Sequence, residues 1–179
     1  MLTRADELAR MTVLDASRTA IVLGTLWAER PAVLVFVRHF GCIHCRAHVI
    51  DLVRRIDLVR TAGADLVIVG SGTPNFIAGF RDETGWDGPL YVDPSLEVYK
   101  AAQLERGVWK TFSPLAIGKT IGAFASGVRQ GRTQGDPWQQ GGTLVIAPDN
   151  AVVWHHVSRR SGDNARPEDI AAALARHAA

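Results

Sequence analysis

This chain of 179 residues has only two cysteines, too few for a disulfide framework. It also lacks a marked charge: 20 basic residues against 18 acidic ones leave a net +2. That balance gives no electrostatic case for nucleic acid or an anionic membrane as a partner. Arginine supplies most of the basic residues and is scattered rather than clustered. No apolar stretch approaches the roughly 20 residues needed to cross a bilayer. The opening Met1-Leu2-Thr3-Arg4-Ala5-Asp6-Glu7 carries acidic residues and no apolar core, so it does not read as a secretory signal. Low-complexity tracts, internal repeats and linkers are missing too. The expectation is a single domain over 1–179, located in the cytoplasm, with enough apolar residues for a substantial core.

The two cysteines that are present stand three apart, in Phe40-Gly41-Cys42-Ile43-His44-Cys45-Arg46, directly after the apolar run 32–37. A buried strand that breaks at a glycine and runs into a helix opening with C-x-x-C is the layout of a thioredoxin-like redox site. Within one helical turn the two Cα atoms lie inside disulfide-bridging distance. A helix N-terminus stabilises an anion, so the first thiol is expected to ionise more readily than a free cysteine. In a reducing cytosol such a pair is catalytic or metal-binding rather than a structural staple.

The rest of the chain fits around that element. Thr12-Val13-Leu14 and Ala20-Ile21-Val22-Leu23 read as a hairpin. Residues 32–37 have no polar member, as expected of a strand buried on both faces in a parallel sheet. From Cys42 the apolar residues Cys45, Val49, Leu52, Ile56 and Val59 recur at helical spacing. Residues 65–70 form the next buried strand and complete a β-α-β unit. Thr73-Pro74 opens a helix with Phe76, Ile77 and Phe80 on its apolar face and Gly85 past its end. Residues 89–92 form a short strand, and Asp93-Pro94 caps a helix that turns Leu96, Tyr99 and Ala102 inward. Ser113-Pro114 starts a glycine-rich helical stretch, and the polar loop 129–142 is long enough to be functional. Residues 143–147 and 151–157 flank Pro148-Asp149-Asn150 as a second hairpin, and Pro167 begins a terminal helix. This order predicts an α/β fold, a three-layer sandwich on a central mixed sheet, with an N-terminal hairpin and a helical insertion around 95–130.

Several separated segments resemble one family. They are Phe36-Val37-Arg38-His39-Phe40-Gly41-Cys42-Ile43-His44-Cys45-Arg46, Gly88-Pro89-Leu90-Tyr91-Val92-Asp93-Pro94-Ser95, the run from Gly135-Asp136-Pro137-Trp138-Gln139-Gln140 to Gly141-Gly142-Thr143, and Ser161-Gly162-Asp163-Asn164. They look like the peroxiredoxin-like group of the AhpC/TSA superfamily (alkyl hydroperoxide reductase and thiol-specific antioxidant). The resemblance covers roughly residues 30–165. It implies a thioredoxin fold, thiol redox chemistry and frequent dimerisation, and one branch of the family is a prostamide/prostaglandin F synthase. In the peroxiredoxin register Cys45 takes the peroxide-reactive place, while Arg38 and Cys42 replace the usual proline and threonine. Gly141 then stands where a peroxide-polarising arginine belongs, which weighs against efficient peroxidase activity. In the thioredoxin register Cys42 attacks and Cys45 resolves, and Gly141-Gly142-Thr143 replaces the expected cis-proline.

Four residues are therefore assigned to catalysis. Cys42 is the attacking thiol, on the ground that a thiol at the helix tip is more exposed, and Cys45 resolves. His44, between them, can hydrogen-bond to or attract the thiolate. Arg38 follows the buried strand closely enough to act on the thiolate, whereas Arg46 reads as a solvated helix residue. No cofactor or metal is needed. The expected partners are a thioredoxin-like or small-thiol electron donor and a small-molecule or protein disulfide substrate. The competing reading is a metal carrier or redox-sensing module, with Cys42, Cys45 and His48 on Zn²⁺ or Cu(I). His155 and His156 alternate across a strand, which predicts one exposed and one satisfied in the core. Trp109, Phe112, Ile117, Ile121 and Phe124 form an aromatic and aliphatic stripe, read as core in preference to a pocket for an apolar substrate. Trp138 is the better candidate for a substrate or partner contact.

Overall fold

The structure is a computed structural model that describes residues 1–107 and 134–178. Among the described residues seven strands form one mixed sheet: β1 (Thr12–Leu14), β2 (Ala20–Val22), β3 (Ala32–Val37), β4 (Asp65–Gly70), β5 (Leu90–Val92), β6 (Gly142–Ile146) and β7 (Val152–Val157). Their order is β2-β1-β5-β4-β3-β6-β7. β3, β4 and β5 run parallel, and β6 lies antiparallel to β3, so β3 is an interior strand beside the central β4. Both predicted hairpins are present as antiparallel pairs, β1 with β2 and β6 with β7.

Every residue of β3 is buried because both sheet faces are covered. On one face Val33, Val35 and Val37 pack with residues of α2 (Ile43–Arg54), α4 (Ile77–Thr84) and the terminal α6 (Pro167–Ala178). On the other, Ala32, Leu34 and Phe36 meet α1 (Asp6–Arg10) and α5 (Glu97–Ala101). The result is the thioredoxin-like three-layer α/β sandwich expected from the order of elements.

Local differences from the sequence reading have physical causes. The helix predicted from Cys42 to Val59 is two helices. Arg55 leaves the helical region at φ −120°, and α3 (Asp57–Arg60) restarts the turn so that Val59 still reaches the core. Phe76, expected inside, is exposed. Pro74–Phe76 form a 3₁₀ turn before α4, and three residues per turn rotate Phe76 off the face that Ile77 and Phe80 share. Gly85 closes α4 in the left-handed conformation, φ +70°.

Two contacts fix the strand ends where the site lies. Tyr99 of α5 is fully buried, and its hydroxyl lies 2.6 Å from the Val37 carbonyl and 3.0 Å from that of Val69. The N-cap of that helix is Leu96, in left-handed conformation, and Asp93, three residues earlier, accepts from the Val98 N–H of its first turn at 2.8 Å. Of the helical insertion expected around 95–130, α5 lies within the described residues. The 113–128 stretch and the Trp109, Phe112, Ile117, Ile121 and Phe124 stripe lie outside them.

Candidate redox site

β3 delivers the chain to the site and stops at Val37. Residues 38–42 turn back, with the Cys42 N–H donating to the His39 carbonyl at 3.1 Å. Cys42 is then the N-cap of α2, in extended conformation, and its carbonyl accepts the first helical bond from the Arg46 N–H at 3.0 Å. Its sulfur therefore lies at the positive end of a helix, and the backbone N–H groups of Cys45 and His44 favour its thiolate.

The two thiols are unlike. The Cys45 thiol hydrogen-bonds to the Cys42 sulfur, which lowers the Cys42 pKa from an ordinary 9.0 to about 6. Burial opposes this shift, while the Arg38 guanidinium and the two backbone N–H groups add to it. The same thiol–thiol bond, with burial and the Cys42 charge, pushes Cys45 well above its ordinary value. The Arg38 N–H also donates to the Cys45 sulfur at 3.3 Å. Exposure plays no part in the asymmetry. Cys42 and Cys45 are 3% and 4% accessible, so the expected exposed thiol at the helix tip is not seen. The N-cap turn folds under residues 38–41 instead of projecting from the surface.

Arg38 is the hub. Its Nε donates to the Gln139 carbonyl (3.3 Å), Nη2 to the Pro137 carbonyl (2.6 Å) and Nη1 to the Ser161 hydroxyl (2.8 Å). Nη1 also lies 3.8 Å from the Cys42 sulfur. None of those three oxygen acceptors is charged, so they position the cation without neutralising it. Ser71 donates its hydroxyl to the Arg38 carbonyl and accepts from the Asp136 N–H. Three of the family-like segments thus meet at one guanidinium. Their joint role is invisible in sequence, because Pro137, Gln139 and Ser161 lie about a hundred residues or more from Arg38.

The other sequence candidates divide. His44 is buried and acts on Cys42 through its backbone N–H, and its carbonyl accepts from Asn164 Nδ2 at 3.3 Å. Arg46 is not a solvated helix residue. It is buried, donates Nε to the Phe40 carbonyl at 2.9 Å and pairs with Glu83 of α4 at 2.5 Å. His39 is buried beside Arg38 and Arg46, and burial followed by those two charges lowers its pKa to about 4. His48 Nε2 bonds the Ala165 carbonyl at 2.8 Å. Among the described residues no three His, Cys, Asp or Glu side chains gather as a metal site, so the Cys42–Cys45–His48 set is not assembled. The pair expected to be one exposed and one satisfied in the core is neither: His156 is half-buried, and His155 is buried with Nδ1 accepting from the Leu2 N–H at 3.2 Å while its Nε2 has no hydrogen-bond partner among the described residues.

Trp138 belongs to a clasp. Residues 105–107 bond residues 138–140 through Gly107 N–H to the Trp138 carbonyl and Gln140 N–H to that of Glu105. Arg106 pairs with Asp136 at 2.7 Å beside them. This clasp holds the Pro137 and Gln139 carbonyls against Arg38. Next to it, a Cβ at Gly141 would lie 2.3 Å from the Phe36 carbonyl oxygen. An arginine at that position has no room, and the cation of this site comes from the end of β3. Among the described residues no peptide bond is cis.

Comparison with known proteins agrees with the fold and the segments. Residues 51–160 match the AhpC/TSA antioxidant enzyme family. The chain is 34% identical over 176 residues to the thioredoxin-like protein AAED1, chloroplastic, of Arabidopsis thaliana, covering 93% of this chain and 71% of that one. It is 35% identical over 170 residues to peroxiredoxin-like 2C of Mus musculus, with coverages of 89% and 75%. A prostamide/prostaglandin F synthase of Sus scrofa is 35% identical over 161 residues, with coverages of 87% and 79%. The solved structure of a Xanthomonas campestris bacterioferritin comigratory protein superposes with a TM-score of 0.71 over 100% of this chain and 99% of that one. At 14% identity, that likeness is one of fold. A mixed sheet of this topology, the separated segments and relatives above 30% identity agree: the chain belongs to the AhpC/TSA family, in its peroxiredoxin-like group.

Proposed function

We propose that this protein is a thiol–disulfide oxidoreductase in which Cys42 attacks and Cys45 resolves. Family membership supports a thiol-dependent oxidoreductase. The assignment of roles rests on one observation: the Cys45 thiol and the Arg38 guanidinium both address the Cys42 sulfur. A thiolate is the nucleophile, and Cys42 is the sulfur whose thiolate is favoured.

With a hydroperoxide, the Cys42 thiolate attacks the terminal oxygen and the O–O bond breaks. Cys42 becomes a sulfenic acid, and the leaving alkoxide takes a proton to become an alcohol. Cys45 then attacks the Cys42 sulfur, the S–O bond breaks, and water leaves with the Cys45 proton. With a disulfide, attack gives a mixed disulfide and releases one thiolate, and Cys45 displaces the other. Both routes end at a Cys42–Cys45 disulfide, which an external dithiol such as a thioredoxin, or two small thiols, reduces by exchange. Arg38 stabilises the attacking thiolate, and the His44 N–H assists it from the helix start. The absence of an arginine at Gly141 favours disulfides or other electrophiles over rapid peroxide turnover.

We place the protein in the cytoplasm, where two free cysteines stay reduced, although one relative is chloroplastic by name. No helix among the described residues is long and apolar enough to cross a membrane. The test is thiol-dependent turnover of a peroxide and a disulfide panel by wild type and Cys42→Ser, together with trapping of free thiols after oxidation. Loss of turnover in the variant and reversible loss of both trappable thiols in wild type are expected. Full turnover by Cys42→Ser would end the mechanism.

A further inference from the structure

The segment Ser161-Gly162-Asp163-Asn164 follows β7 and returns to the start of α2. It meets the site twice, through Ser161 on Arg38 and through Asn164 on the His44 carbonyl. The loop is braced on its own side. The Arg159 N–H donates to Asp163 Oδ2 at 2.9 Å, the Asp163 N–H donates to the Arg160 carbonyl at 3.1 Å, and His156 Nε2 lies 3.1 Å from the Asp163 carbonyl. Ser161 itself is buried, 5% accessible, so its hydroxyl is a fixed post.

The nitrogen that Ser161 holds is the one beside the nucleophile. Arg38 Nη1 is 2.8 Å from the Ser161 oxygen and 3.8 Å from the Cys42 sulfur. A guanidinium is planar, with its donors in a fixed fork. The Pro137 and Gln139 carbonyls pin Nη2 and Nε, and Ser161 supplies the third point that sets the rotation of the plane. Without the Ser161 hydroxyl the Nη1 end loses a 2.8 Å contact, and a long arginine chain gains rotamer freedom there to swing Nη1 off the sulfur.

We propose that Ser161 is a positioning residue that holds the Nη1 end of Arg38 against the Cys42 sulfur. The inference rests on the reading of Cys42 as the attacking thiol under Arg38. The charged and titratable side chains that act on Cys42, among the described residues, are Arg38 and Cys45. Removing the hydroxyl therefore weakens the only cationic contribution among them.

The experiment is the pH dependence of Cys42 alkylation by iodoacetamide in the reduced full chain, with the modified cysteine identified by peptide mass. The proteins are wild type, Ser161→Ala, Ser161→Thr, Arg38→Met and the Arg38→Met/Ser161→Ala double variant. Ser161→Ala should raise the midpoint by about one pH unit, about tenfold less thiolate at any pH below both midpoints. Ser161→Thr keeps the hydroxyl and should keep the wild-type midpoint. Arg38→Met should raise the midpoint further, and the double variant should match Arg38→Met alone. A wild-type midpoint in Ser161→Ala while Arg38→Met is raised would overturn the proposal but leave the Arg38 reading standing. So would a double variant that exceeds Arg38→Met, or a threonine variant that behaves like alanine. An unchanged midpoint in Arg38→Met would instead remove the reading on which the proposal rests.

Discussion

Arg38 and Cys42 lie four residues apart in a turn, and the guanidinium folds back so that Nη1 is 3.8 Å from the cysteine sulfur. The cation is 6% accessible, so water screens its charge poorly. Arg38→Met should raise the Cys42 pKa from about 6 toward its ordinary 9.0. A rise of two pH units leaves about tenfold less thiolate at pH 7, and turnover at that pH should fall by a similar factor. Arg38→Lys should recover little of it, because a single ammonium cannot meet the Pro137, Gln139 and Ser161 acceptors together. Steady-state rates between pH 5 and 9 check both.

Cys45 is the largest influence on Cys42, so Cys45→Ala should also raise the alkylation midpoint of Cys42. It should in addition trap the first intermediate, seen by mass as a sulfenic acid or a mixed disulfide. Stability should follow the same ionisation. The folded Cys42 pKa is depressed, so the contribution of its thiolate is complete above pH 9 and is lost as pH falls through about 6. Urea midpoints should therefore climb from pH 6 to 9 in the reduced wild type, and this climb should flatten in Cys42→Ser.

His39 and His48 set the acid limit of the fold. Burial holds both near 4, against an ordinary 6.5. Between those values the unfolded chain binds protons that the folded chain refuses, so stability falls as pH drops from 6.5 to 4 and levels off below. Each histidine contributes at most about 1.4 kcal/mol per pH unit in that window. His48→Gln should shallow the slope in a urea titration and leave stability at pH 8 within about 1 kcal/mol of wild type.

Gly141→Ala should destabilise the protein by about 2 kcal/mol, since its Cβ meets the backbone oxygen of Phe36, which has no rotamer to yield. Tm should drop by roughly 4–8 °C. The same shift pushes the Pro137–Gln139 carbonyls off Arg38, so the Cys42 alkylation midpoint should rise as well. A fall in Tm with an unmoved midpoint would separate strand packing from the site.

Much was legible in the chain itself. The run 32–37, with no polar member, and the run 65–70, apolar after Asp65, are β3 and β4 with the bounds expected of them, because the part of a strand covered on both faces admits no polar residue. The polar turn 15–19 and Pro148-Asp149-Asn150 located the hairpins, and Gly85 the end of α4, since turn residues act through local backbone geometry. The C-x-x-C spacing named the two sulfurs. Sequence failed where rotation or long-range proximity decided. A 3₁₀ turn put Phe76 outside, and the break at Arg55 divided a helix that periodicity made continuous.

The unlike character of the cysteines was expected from the helix start, but exposure was the wrong reason for it. Local sequence specifies that Cys42 caps α2, because capping depends on neighbours within one turn. Only the tertiary structure decides that both thiols are buried and that Arg38 lies against the Cys42 sulfur. Ser161, Pro137 and Gln139 come to it from β7 and from the clasp before β6. Burial and charge act through space, and no spacing along the chain encodes a contact made across 99 or 123 residues.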